Sequence, residues 1–389
     1  MIGEQIKRVR NERNLSLRSL SSLIKNRGFV DGLSYSAVQR IESGDRKVAT
    51  HELAELADVL GTSIATLIGS RDRSASLSLA ARVSEHPSDG TLSAVKARAV
   101  EVLEAQDLLG RLIEPLRTRQ RPEIPNIPVS RAGGKMLAEL MRDELQLGIA
   151  PIANLAALIE DTFSALVFKE PLPTGTSGFC AIDDDVAVIF VNSTDSAGRQ
   201  NFTLAHEFCH LILRDVDTVE VLGQSGGAMS KKEGRADDFA AHFLAPDEAL
   251  LSSLGKSRAG AIDVVRLAHR FSMSLEAMRI RLRNLTLLAP DVDDELRVGR
   301  RRFAELGGLM GDYHAEEQAR GKRTPSGRLT ELVLSAFHHG QVGIGLVAAV
   351  TGERDLDQLR SVLRGSEAVY VPDFADAAAL SEWRDYVSR

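Results

Sequence analysis

Only two cysteines, Cys180 and Cys209, occur in the 389 residues. That is too few for a disulfide framework and agrees with a reducing compartment. No stretch approaches the roughly 20 consecutive apolar residues that a membrane helix needs, so no membrane partner is expected. The opening MIGEQIKRVRNERN reads as an amphipathic helix without the apolar core of a signal peptide, which places the expected site of action in the cytoplasm. No internal repeat and no long low-complexity tract is present, which removes solenoids and most disordered classes. Apolar residues make up 43% and charged residues 26%. That is an ordinary globular composition, on a chain long enough for two or three cores.

An excess of positive charge is also missing overall, since the formal net charge is −6. This argues against wholesale nucleic-acid binding, but the distribution is uneven. Residues 1–50 hold ten Lys/Arg against five acids, a local balance of +5. A basic opening segment on an acidic chain is what a DNA-reading module joined to a larger body shows.

Hydrophobic periodicity predicts short helices over residues 1–70, with Ser16 and Ser34 as N-caps and Gly44 and Gly61 at helix ends. Residues 71–90 are polar and serine-rich and read as a linker, followed by a helix from about Leu92 to Leu116. The three prolines of RQRPEIPNIP (119–128) mark a second break. Helical periodicity returns over 132–168, and the run Val186–Val191 reads as a strand, with Thr176–Ile182 as its partner. Helices then dominate from Arg199 to Leu287 around a glycine-rich loop at Gly223–Gly227, and residues 291–389 read as helical without a chemical motif. The expected fold is mainly α with a small β-sheet, an α+β chain. Its segments are 1–70, a linker with a helix over 71–131, a globular domain over 132–290, and a helical region of unknown role over 291–389.

The densest chemistry is FTLAHEFCHLIL at 202–213. His206 and His210 are four apart and so share one helix face, where two imidazoles can hold one zinc ion. Glu207, next to the first histidine, can reach a water at that metal and act as general base. A catalytic zinc needs a third protein ligand. In KEGRADDFAAHFLAP (232–246) Glu233 supplies it. Asp237, about 40° from Glu233 around the axis, can accept the free ring N–H of a ligating histidine. His242 lies nine residues on, on the opposite face, and Asp238 lies about 140° away, so both are disfavoured. Cys209 reads as a core thiol. His269, Arg270 and Arg281 are all open as stabilisers of a developing oxyanion.

FTLAHEFCHLIL, E-x-x-A-D-x-F-A-A-x-x-L-A-P (233–246) and LAHRFSMSLEAMRIRLRNLTLL (267–288) together resemble the ImmA/IrrE family of zinc metallopeptidases. GIAPIANLAALIED (148–161) and the strand ending at Asn192 fit the same family, so the resemblance spans about residues 132–290. It implies a gluzincin-like site with two histidines and one glutamate on one zinc per chain. It also implies a protein substrate that is a repressor or antitoxin-like regulator, whose cleavage relieves repression of stress, prophage or mobile-element genes. Phe208 and Cys209 stand where the family more often has Leu-Gly.

LSLRSLSSLI (15–24) and LSYSAVQRIESGDRKVATHELAELADVLGTSIATLIG (33–69) resemble the Xre/Cro-type helix-turn-helix family. A first helix over 17–26 would cross the phosphate backbone with Arg18 near a phosphate, and a second from about Tyr35 to Ser43 would enter the major groove. Ser36, Gln39 and Arg40 are its outward polar members, able to read base edges of a double-stranded operator. Arg46 and Lys47 would contact phosphates. The eight-residue connection KNRGFVDG is longer than the usual turn. Such modules imply a homodimer on DNA. The non-enzymatic alternative is a helix-turn-helix transcription regulator or antitoxin whose metal domain senses a signal. Glu207 speaks against it, because a purely structural site needs no general base.

Overall fold

The computed structural model describes residues 2–13, 15–26, 33–48, 52–53, 56, 59–60, 67, 78–83, 89–112, 124–163, 165–183, 186–215, 219–221, 228–290, 292, 300–339, 342–353, 359 and 363. They fall into two compact units, one of residues 1–76 with 100–108 and the other of 77–99 with 109–389.

The first unit opens with α1 (Ile2–Glu12), α2 (Leu17–Asn26) and α3 (Tyr35–Glu42). Their apolar stripes meet in a core of Ile6, Val9, Leu20, Ile24, Val38 and Ile41, closed by Leu53, Leu56, Leu60 and Leu67. The Ser16 hydroxyl accepts from the Ser19 amide at 3.0 Å and that of Ser34 from the Ala37 amide at 3.2 Å, so both predicted caps are made. Gly44 takes φ +82°, the left-handed conformation in which a helix commonly ends. A β-carbon on Gly3 would lie 2.0 Å from the Ile41 carbonyl oxygen, so only glycine lets α1 approach α3 this closely. The buried guanidinium of Arg10 grips the Glu42 carboxylate with two bonds of 2.7 and 2.8 Å. Gly61 and residues 27–32 of the long connection lie outside the described residues.

The second unit is built on a five-stranded sheet. Its strands are β1 (Ser78–Val83), β2 (Ala165–Glu170), β3 (Thr176–Asp183), β4 (Val186–Asn192) and β5 (Val219–Val221), in the order β2-β4-β3-β1-β5. The expected pair β3–β4 is antiparallel, with Cys180 opposite Ile189. β2 runs parallel to β4, β1 runs antiparallel to β3, and β5 is parallel to β1. Two expectations change here. Residues 165–168 are strand rather than helix, because a short apolar run such as ALVF carries no period that separates the two. The polar linker also contributes a strand, β1, whose pairing is decided by partners about a hundred residues away rather than by local pattern.

The remaining helices follow in chain order. They are α4 (Asp89–Leu112), α5 (Arg131–Glu144), α6 (Leu155–Phe163), α7 (Ala197–Leu213), α8 (Ala228–Leu244), α9 (Asp247–Leu254), α10 (Ala261–Arg270), α11 (Leu275–Asn284), α12 (Arg300–Gly307), α13 (Met310–Ala319), α14 (Gly327–His338) and α15 (Ile344–Thr351). Helix α4 begins at Asp89, earlier than expected, and residues 113–116 lie outside the described residues, as does the glycine-rich loop.

Helix α7 lies against β3 and β4, with α8 beside it and α5 on α8. Phe163, Phe208, Phe239 and Phe243 interlock at ring separations of 4.8 to 5.9 Å and hold α6, α7 and α8 together. Phe168, Phe179 and Phe190 stack on the sheet, and Arg98 lies over two of these rings while its guanidinium bonds Glu170 at 3.0 Å. The outer margin of β2 is closed by Thr324, which exchanges two backbone hydrogen bonds with Lys169 at 2.7 and 2.9 Å.

Candidate metal centre

Helix α7 presents His206 and His210 one turn apart, and α8 crosses it so that Glu233 faces both rings. Glu233 Oε2 lies 2.7 Å from His206 Nε2 and Oε1 lies 3.1 Å from His210 Nε2, while the two Nε2 atoms are 3.2 Å apart. Among the described residues this is the one group of His, Cys, Asp or Glu set closely enough to hold a metal ion. Zinc bonds of about 2.0–2.1 Å at tetrahedral angles put donor atoms about 3.3 Å apart. The three donors therefore fit a zinc ion with only slight opening of the triangle.

Each imidazole is oriented through its other nitrogen. His206 Nδ1 meets Asp237 Oδ1 at 3.0 Å, and His210 Nδ1 meets Asp215 Oδ1 at 3.0 Å. A carboxylate on Nδ1 holds the proton there and leaves Nε2 as the lone-pair donor toward a cation. Asp215 is itself held by the buried Arg235 through an ion pair. Sequence reasoning missed both residues. Asp215 returns to His210 because Arg214 ends α7 in the left-handed conformation, φ 53°. That reversal, made without glycine, carries no strong local signal.

The electrostatics suit a cation. Burial alone would pull the His210 pKa down, but bonds to Asp215 and Glu233 outweigh it and hold it at about 10. Burial would raise the Glu233 carboxyl, but the two histidines hold it well below the usual carboxylate range. Asp215 is lowered too, with His210 and Arg235 outweighing burial. Zinc needs a neutral imidazole, whereas below a pKa of about 10 His210 of the apo protein carries a proton. Zinc uptake should therefore release that proton, and the apparent affinity should fall about tenfold per pH unit on acidification. Calorimetry in buffers of different ionisation heat tests this, and an affinity unchanged between about pH 6 and 9 would contradict it.

Glu207 is 1% exposed on the same helix, beside the ligand pair. The disfavoured residues go elsewhere. The His242 ring bonds the Asp238 carbonyl at 2.8 Å, and Asp238 pairs with Arg131 at 2.9 Å. Cys209 is buried in the core, and burial pushes its thiol up. The three oxyanion candidates have partners of their own. Arg281 is buried against Asp247 and the Ala245 carbonyl, Arg270 bonds the Ser253 hydroxyl at 3.1 Å, and His269 faces Asp312 at 3.7 Å.

Residues 160–283 match the family model of the IrrE N-terminal-like domain of M78 peptidases, and residues 6–67 match a helix-turn-helix model. The chain carries an ImmA/IrrE-type peptidase domain behind a helix-turn-helix domain. Comparison with curated proteins gives no match. The ligand triangle, Glu207, Asp215 and Asp237 all fall within the IrrE-like segment, and β1 falls outside both matched segments.

In the helix-turn-helix domain, Val38 and Ile41 of α3 face inward while Ser36, Gln39 and Arg40 are exposed, as are Arg18 and Lys47. Arg46, partly exposed, pairs with Glu52 at 2.6 Å. No helix among the described residues is long and apolar enough to cross a membrane.

Proposed function

We propose that the chain is a DNA-binding regulatory zinc metalloendopeptidase that cleaves a repressor or antitoxin-like protein and thereby controls transcription of stress, prophage or mobile-element genes. The observation that carries this reading is the convergence of His206, His210 and Glu233 beside the buried Glu207. His206, His210 and Glu233 would hold one zinc, which when bound supplies a Lewis acid able to polarise a peptide carbonyl. Glu207 takes the proton from the attacking water and returns it to the leaving amine. Asp237 and Asp215 keep both imidazoles in the donor tautomer.

The test is incubation of the zinc-loaded protein with regulators encoded beside its gene. A single cut, abolished by chelation and restored by zinc, is the expected result; intact regulators under every condition would turn the reading toward a non-proteolytic sensor.

The exposed row of α3 supports binding to a double-stranded operator, with Arg40 reading a guanine edge; a homodimer is proposed from the resemblance of the domain alone. Arg40→Ala should weaken specific operator binding by about 1–3 kcal/mol and leave non-specific binding nearly unchanged. A gel shift with equal loss on both DNAs would assign Arg40 to the phosphates instead.

A further inference from the structure

The three strands β2, β4 and β3 lie inside the IrrE-like segment, and within that set β3 is the edge on the metal side. Its Gly178 lies close under α7. A β-carbon there would lie 2.5 Å from Thr203 Cγ2 and 3.7 Å from Glu207 Cγ. A peptidase must hold its substrate extended at the metal, and an open strand edge does this through backbone hydrogen bonds. That edge is occupied. β1 pairs with it antiparallel along six residues, and Arg82 stands opposite Gly178. The far side of β1 pairs with β5, where Arg82 is opposite Glu220, five residues beyond the Asp215 that orients His210. β1 thus lies between β3 and β5 in the sheet. It comes from the stretch between the matched segments, not from the peptidase domain itself.

We propose that the β3 edge is the docking surface for an extended peptide segment of the substrate, and that β1 is its resident occupant. The substrate must then displace residues 78–83 to reach Glu207. This rests on the peptidase reading above and adds how access to that site is controlled. A closed state populated about 90% of the time lowers the apparent affinity for an incoming strand about tenfold.

The experiment uses the zinc-loaded full chain and a fluorescein-labelled peptide of residues 76–86, read by anisotropy. Ala80→Pro with Ala81→Pro removes one backbone N–H toward each neighbouring strand. The double variant should bind the peptide about tenfold more tightly than the wild type, and a peptide hydroxamate should displace it. Equal binding, or binding that the hydroxamate leaves untouched, overturns the proposal. Should the proline variant fail to fold, Ala80→Cys serves, because position 80 is directly opposite Cys180. Its oxidised, cross-linked form should lose peptide binding and regain it in dithiothreitol; identical binding in both forms overturns the proposal. Peptide binding does not require turnover. An opened variant that binds the peptide but cuts no protein supports the strand occupancy and sinks the peptidase reading instead.

Discussion

Glu207→Gln should abolish cleavage of the protein partner, with a fall of about 10²- to 10⁴-fold in rate, while one zinc per chain stays bound. Glutamine keeps the shape of the side chain inside α7, where position 207 is 1% exposed, so packing is preserved. It cannot accept a proton from water, so the step that generates the nucleophile is lost. The ligands His206, His210 and Glu233 are untouched, so metal content is the internal control. Gel-based cleavage kinetics and elemental analysis on one preparation check both halves. Wild-type turnover in a zinc-replete Gln variant would remove Glu207 from the chemistry, and unchanged regulation in the cell would favour the sensing alternative.

Asp215→Asn should weaken zinc binding about 10- to 100-fold and destabilise the fold by about 3–5 kcal/mol. The two effects have different origins. One carboxylate oxygen fixes Nδ1 of His210 at 3.0 Å. An amide can turn its NH₂ to that nitrogen and drive the proton to Nε2, the atom needed by the cation. The other oxygen neutralises Arg235, which is 4% exposed and would stay buried without its counter-charge. Chelator competition measures the first effect and denaturant unfolding of the apo protein measures the second. If both are unchanged, Asp215 is a bystander and the orientation of His210 comes from helix packing alone.

What was legible in the sequence follows the range of the interactions. His206, His210 and Glu207 depend on one helical turn, and Ser16, Ser34 and Gly44 on a few neighbours, so their places follow from spacing and capping. Glu233 and Asp237 needed only the rule that a helix repeats every 3.6 residues. Asp215 and Arg235 needed a left-handed reversal at Arg214 and a meeting of two helices, neither of which leaves a pattern. β1 was unreadable for a similar reason: its six residues look like linker until β3 is beside them. Arg46 shows the same limit in the helix-turn-helix domain. Its charge suggested a phosphate, and the hydrogen bonds it makes to Glu52, six residues on, were not read from that charge. The roles of Arg281 and Arg270 were likewise settled by partners on α9 and on the turn before it.

The hydrogen bonds between Thr324 and Lys169 alter what counts as the peptidase domain. The family match stops at residue 283, yet the backbone that seals β2 comes from about forty residues further on. Arg328 reinforces it by donating its amide to Glu160, whose carboxylate also accepts the Val167 amide. A chain trimmed to the matched residues would have a raw seam of unsatisfied amides and carbonyls, the sort of margin along which sheets fuse into aggregates. The stretch from Thr324 to Arg328 is therefore hemming for the sheet beside the candidate centre.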